Sequence, residues 1–257
     1  MIDFHSDENR YTYAGRSANS GWSQAILDLI DPRGQRVADV GRGGGIYSRA
    51  WADLGVTSVI GVDFSEQMIS AAKENTQDHR GISFKQGTAE NTGLPSGSFD
   101  IVFERALIHH LKDFDACFAE AYRLLAHGGK LIIQDRTPED VKIPGSQKHV
   151  RGYFFELFPK LMEIEIKRRP TGQGVFDSLL KAGFSEVEIK NLWETREIHD
   201  GFGPLARDLR QRTGRSILHD LTDTEVETLI SHVESHVGQL RTIVEKDRWT
   251  LWIASKT

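Results

Sequence analysis

Cysteine is nearly missing from this chain. Cys117 is alone among 257 residues, so no disulfide can form within the chain, as suits a reducing compartment. Long apolar runs are also lacking, and none approaches the ~20 residues that span a bilayer. No excess of positive charge exists: 32 basic against 37 acidic residues leave −5, and the densest basic patch is Lys167-Arg168-Arg169. A surface built for nucleic acid or anionic membrane is therefore not expected. The start, Met1-Ile2-Asp3-Phe4-His5, is acidic and mixed, unlike a basic-then-apolar leader, so a cytoplasmic protein is expected. A Gly-x-Ser-x-Gly elbow, a P-loop lysine and a His-Glu-x-x-His pair are all absent. His232 and His236 have helical metal-pair spacing, but no cysteine partner accompanies them and they flank an apolar stripe. They read as a solvated helix edge, and no metal is expected.

What is present is an ordinary globular balance, 39% hydrophobic and 27% charged, enough for a sizeable core. From about Gln35, short apolar runs alternate with helical periodicity. Val37–Val40, Val59–Asp63, Ile82–Phe84, Ile101–Phe103 and Leu131–Ile133 read as strands. Tyr47, Ala50, Trp51 and Leu54 recur at helical spacing between the first two, and Ser65 can cap the next helix. Phe114, Phe118, Ala121, Leu124 and Leu125 make a helix face closed by Gly128-Gly129, and further strands are expected near Glu186–Ile189 and Trp249–Ala254. Such alternation implies α/β architecture, a doubly wound parallel sheet with helices on both faces; seven strands, mostly parallel with an antiparallel last strand, are expected. One domain over 1–257 is expected, with an N-terminal cap at 1–30 and a binding core at 31–136. Residues 137–172 and 200–246 are additions, the latter helical, with Thr222 and Glu225 at capping-box spacing.

Asp39-Val40-Gly41-Arg42-Gly43-Gly44-Gly45 falls where the first strand turns into a helix. Glycines there permit positive φ and let a ligand press on bare backbone. The dinucleotide fingerprint needs Gly or Ala at its sixth position, where Ile46 stands, so a nicotinamide-dependent oxidoreductase is disfavoured. Asp39 repels a pyrophosphate but suits a ligand carrying an ammonium and a sulfonium. Asp63 closes the second strand, where a carboxylate can accept from ribose hydroxyls or simply favour a helix start. Phe64 and Met68 can flank an adenine ring, and Met68 suits plain core packing equally.

The motif Asp39–Gly45 is followed by Gly61-Val62-Asp63, Gly87-Thr88-Ala89-Glu90 with Leu94-Pro95 and Ser98-Phe99-Asp100, then Ala106–Leu111. In order and spacing this resembles class I S-adenosylmethionine-dependent methyltransferases, from about Arg36 to Asp135, in the subgroup acting on small molecules. The resemblance implies a cofactor, S-adenosylmethionine, leaving as S-adenosylhomocysteine. It places Ala89 at the adenine through its backbone N–H, with Glu90 nearby, and Glu104, Arg105 and His109 toward the methionine half. Arg42 stands where relatives have a small residue, and either points away or meets the ligand carboxylate. Thr88 replaces an aspartate that receives the adenine amino group. His109 and His110 open the next helix, and one of them at most faces the site. The Pro-Pro-aromatic motif of nucleic-acid amino methylases is absent after the fourth strand, and Cys117 lacks the preceding proline of cytosine-C5 enzymes. The expected partner is a small-molecule acceptor, the expected function methyl transfer, with a non-enzymatic sensor of the same cofactor as the alternative. In related enzymes a segment like the one holding Tyr11, Tyr13 and Arg16 often folds over the cofactor; a mobile tail is the alternative. Tyr153, Phe154 and Phe158, ahead of and around the breaker Pro159, are expected in a lid over the acceptor, or else in an amphipathic helix with a broad apolar face.

Overall fold

The computed structural model describes residues 18, 20–41 and 43–257. Expected site residues Tyr13, Arg16 and Arg42 lie outside them. The rest forms two compact units. One holds the described residues through Asp135, with Pro170–Leu192 and Thr250–Thr257; the other holds Arg136–Arg169 and Trp193–Trp249. The two additions marked in the sequence thus belong to one unit of their own.

The first unit opens with α1 (Ser20–Leu27), then β1 (Arg36–Val40), α2 (Ile46–Asp53), β2 (Ser58–Asp63), α3 (Glu66–Asn75), β3 (Ile82–Gln86) and β4 (Phe99–Arg105). After these come α4 (Phe114–Leu124) and β5 (Leu125–Asp135). Its later pieces supply α8 (Gly172–Lys181) and parts of β6 (Ser185–His199) and β7 (Ile243–Ser255). The seven strands lie in the order β3-β2-β1-β4-β5-β7-β6. β3, β2, β1, β4 and β5 pair in parallel, and β7 pairs antiparallel to β5. β1 sits between β2 and β4, so the strand order reverses there and opens a crevice at the carboxyl ends.

Period-two alternation divides each central strand between two cores. Val37, Ile101, Phe103, Ile132, Leu251 and Ile253 pack with Trp22, Ile26 and Trp51 of α1 and α2. Ala38, Val102, Leu131, Ile133, Trp252 and Ala254 pack with Phe118, Ala121, Val175 and Leu179 of α4 and α8. Trp22 is the hinge of the first core: its ring meets Trp51 edge-on at 5.4 Å, and its Nε1 donates to Gln134 Oε1 at 3.0 Å.

Three boundaries differ from the sequence reading. Gly128 and Gly129 do not close a helix but lie within β5, where Gly128 takes φ 81° and the β4–β5 register shifts between Phe99 and Ile101. β6 runs for 15 residues, and the helical stretch expected to 246 ends at Val237, with β7 beginning at Ile243. His109 and His110 do not open an α-helix. They sit in a single 3-10 turn, Ile108–His110, because the His109 backbone N–H is drawn to Asp135.

The second unit contains α5 (Pro138–Val141), α6 (Val150–Leu157), α7 (Pro159–Arg168), α9 (Phe202–Arg210) and α10 (Asp223–Val237). The capping box forms as spaced: Thr222 Oγ1 accepts from the Glu225 N–H, and Glu225 Oε2 accepts from the Thr222 N–H. Val226, Leu229, Ile230, Val233 and Val237 of α10 are buried against Phe154, Phe155, Leu161 and Leu205. α6 rides directly on a loop, since a Cβ at Gly152 would stand 2.2 Å from the backbone N of Gly145. Backbone cannot yield as a side chain can. Gly152→Ala is expected to cost about 3 kcal/mol through overpacking, read as a lower midpoint in urea; an unchanged midpoint would show that the loop gives way freely.

Candidate donor site at the carboxyl edge

The glycines of the first loop do different work. Gly41, Gly43 and Gly45 all have positive φ, at 70°, 52° and 81°. A Cβ on Gly41 would strike Leu107 at 2.6 Å, and one on Gly45 would strike Ala72 at 2.9 Å, so these two are demanded by packing. A Cβ on Gly43 would meet nothing within 4 Å. Gly43 therefore opens the loop to space that a ligand can fill, and its N–H donates to Asp63 Oδ2 at 2.9 Å. The Gly44 carbonyl is held by Asn75 Nδ2 at 3.0 Å, and Gly41 N–H by the Val62 carbonyl at 2.9 Å.

Four strands end on buried acids: Asp39 on β1, Asp63 on β2, Glu104 on β4 and Asp135 on β5. Asp39 accepts from Ser48 Oγ of α2 at 2.5 Å. Asp63 accepts from the Gly43 N–H and, through Oδ1, from the Ser65 N–H at 3.0 Å. That is the helix-start role as well as a brace for the loop. Asp135 is fully buried and receives His109 Nδ1 at 2.9 Å, so the proton on that nitrogen points at the carboxylate and fixes the tautomer. Among the described residues Glu104 has the Cys117 thiol alone, which donates to Oε1 at 3.3 Å. Its Oε2 is buried with no hydrogen-bond partner. Burial, opposed by the thiol and aided by the neighbouring charges of Asp135 and Glu90, pushes its carboxyl up to about 7. Burial likewise holds the Cys117 thiol well above the ordinary range.

The remaining expected residues are placed as follows. Arg105 lays its guanidinium over the Tyr47 ring at 4.1 Å. Ala106, just past β4, has φ 51°, a left-handed conformation that a non-glycine residue holds only under tertiary constraint. Phe64 is half exposed beside the end of β2, whereas Met68 is buried in α3, as core packing requires. Thr88 is exposed and its Oγ1 accepts from the Asn91 N–H at 3.1 Å; Ala89 is buried and Glu90 exposed. Tyr153 and Phe154 are buried in the second unit and Phe158 is partly buried there, all three in that unit's own apolar cluster. The Tyr153 ring lies 4.4 Å from that of His236. Sequence reasoning missed Ser48, Gln134 and Asp135. Asp135 had a readable signal, being a carboxylate at the carboxyl end of a strand like Asp39 and Asp63.

One trio of close metal-type donors occurs among the described residues, His199, Asp208 and Glu245 in the second unit. Arg215 binds Glu245 at 2.7 Å and also pairs with Asp208, and Arg196 reaches the two carboxylates at 3.1 and 3.2 Å. Guanidinium charge already occupies both carboxylates, so this is an ion-pair network.

Residues 38–133 match the family model of a methyltransferase domain. The chain is 35% identical over 108 residues to the uncharacterized methyltransferase YcgJ of Bacillus subtilis, covering 41% of this chain and 42% of that protein. It is 27% identical over 241 residues to phosphoethanolamine N-methyltransferase 3 of Arabidopsis thaliana, covering 91% of this chain and 45% of that protein. Among solved structures, Haemonchus contortus phosphoethanolamine N-methyltransferase 2, in complex with S-adenosyl-L-methionine, superposes with a TM-score of 0.63 at 22% identity. That match covers 100% of this chain and 60% of the other. The chain thus spans less than half the length of these two curated relatives. Together with the fold, the matches show a methyltransferase domain over residues 38–133 of the chain. The residues present fit S-adenosylmethionine: a Cβ on Gly43 would meet nothing within 4 Å, and Asp39, Asp63, Glu104 and Asp135 are buried near the strand ends, with Oε2 of Glu104 lacking a hydrogen-bond partner among the described residues.

Proposed function

We propose that this chain transfers the methyl group of S-adenosylmethionine to a small-molecule acceptor. The observation that carries the reading is the set of buried strand-end carboxylates beside a glycine loop where a Cβ on Gly43, unlike one on Gly41 or Gly45, would meet nothing within 4 Å. The bound sulfonium supplies a methyl group on an already activated leaving group. What is asked of the protein is alignment, desolvation and charge complementarity. In this reading Asp39, the loop glycines, Glu104, Arg105 and His109 surround the methionine half. Asp63 keeps its two backbone hydrogen bonds and turns remaining lone pairs to the ribose. Phe64, Met68, Thr88, Ala89 and Glu90 border the adenine. A small acceptor is supported by the net charge of −5 and by a relative named for phosphoethanolamine that aligns over 91% of this chain. A cytoplasmic location belongs to the same reading, supported by the single, buried cysteine.

The test is titration calorimetry with S-adenosylhomocysteine, followed by a screen of small amines, phenols and carbanion-forming acceptors for S-adenosylhomocysteine release. Gly43→Ala places a methyl group in the open cradle and is expected to weaken binding at least about tenfold, with an unchanged circular dichroism spectrum. Equal affinity in the folded variant would remove the loop from the site.

A further inference from the structure

The four strand-end acids differ in one respect that the family's motif does not supply. Asp39, Asp63 and Asp135 each accept from a hydroxyl, backbone N–H groups or an imidazole. Among the described residues Glu104 has a thiol on one oxygen and no hydrogen-bond partner on the other, at 1% exposure. It pairs in register with Val40, the residue before the glycine loop, and its side chain shares the α4 face of the sheet with Val102. A carboxylate so placed is costly when ionised in the empty protein and favourable once a cation lies beside it.

We propose that Glu104 reads the charge of the methyl donor: it is protonated in the empty site and ionises when the cationic donor binds, releasing its proton to solvent. The inference rests on the donor-binding reading above. The groups facing Glu104 are Cys117 from α4, Asp135 from β5 with its partner His109 from the turn after β4, and Glu90 from the segment after β3. The two acids disfavour its ionisation. Burial disfavours it most, and the thiol hydrogen bond, which favours it, leaves the carboxyl raised on balance. The incoming cation is then the opposite charge that this side chain lacks.

Linkage fixes the sign. With the empty-site carboxyl near 7 and the occupied one lower, donor binding is fully favourable above pH 7. It weakens as pH falls, by up to about tenfold per pH unit until the occupied-state pKa is reached. The experiment is calorimetry of the full chain with S-adenosylmethionine from pH 6 to 8, in two buffers of different ionisation enthalpy, repeated with S-adenosylhomocysteine. The wild-type protein should release protons on binding S-adenosylmethionine at pH 6.5, with release fading by pH 8. Glu104→Gln should bind with no release and with affinity flat in pH. Release of fewer protons with S-adenosylhomocysteine, which keeps the ammonium and lacks the sulfonium charge, would place Glu104 at the sulfonium; equal release would place it at the ammonium. Binding without proton release in the wild-type protein, which requires no variant to fold, overturns the inference while leaving the donor site intact. So does release that persists in Glu104→Gln. Failure of the wild-type protein to bind either compound overturns the donor reading itself.

Discussion

Asp247→Asn is expected to destabilise the second unit by about 3–5 kcal/mol, the cost of removing one partner from a buried ion pair. Asp247 receives Arg136 at 2.7 Å and Arg151 at 3.0 Å, and all three side chains are buried. Burial holds Arg136 down to about 9, and Arg151 beside it adds to that effect. Loss of the shared carboxylate therefore leaves two cations close together in a low-dielectric interior. Asparagine keeps the volume, so the change isolates charge from cavity. The two guanidinium groups hold the Asp247 carboxyl well below the usual carboxylate range. Its contribution is present above the unfolded value of about 4 and is lost only as pH falls below it toward the folded one. Urea unfolding at pH 7, followed by circular dichroism, measures the loss. Asp31→Asn is the control, because its pair with Arg33 is solvent-exposed and should leave the midpoint where it was. A midpoint for Asp247→Asn equal to wild type would mean that the arginines find other carboxylates.

The opposite sign is expected for Glu104→Gln. The Glu104 carboxyl is raised from 4.5 to about 7 in the folded protein. Between those values the folded state holds a proton that the unfolded state has lost. Stability from this group is thus complete below about pH 4.5 and declines as pH rises to 7. The shift corresponds to about 3 kcal/mol at 1.36 kcal/mol per pKa unit. Glutamine has the same shape without the charge, so the variant should match wild type at about pH 4 and exceed it by about 3 kcal/mol at pH 8. Thermal unfolding at the two pH values gives the comparison. A variant less stable at both would mean that the carboxyl forms a bond glutamine cannot replace.

The order of strands and helices in the first unit, the glycine loop and Asp63 were legible in the sequence because each depends on near neighbours. Alternation such as Ile101-Val102-Phe103 follows from the pleat, and Ser65 or Thr222 announces a helix within three residues. Boundaries failed where the backbone departs from regular geometry. Gly128-Gly129 looks like a helix stop, yet a β-bulge uses the same freedom. The aromatic cluster shows the limit of composition: Tyr153, Phe154 and Phe158 read equally as a lid or as the apolar face of an amphipathic helix, and a cluster says nothing about which apolar surface receives it. Within the site, the sequence supplied Asp39, Glu104 and His109 as chemistry without partners. Their differences come from contacts over long separations. His109 meets Asp135 26 residues away, and Asp247 meets Arg136 at a separation of 111. A local pattern can specify that a strand ends on an acid. Whether that acid is then braced by backbone N–H groups, neutralised by a guanidinium or left with an orphaned oxygen is set by which distant segments pack around it, and only the tertiary structure decided that.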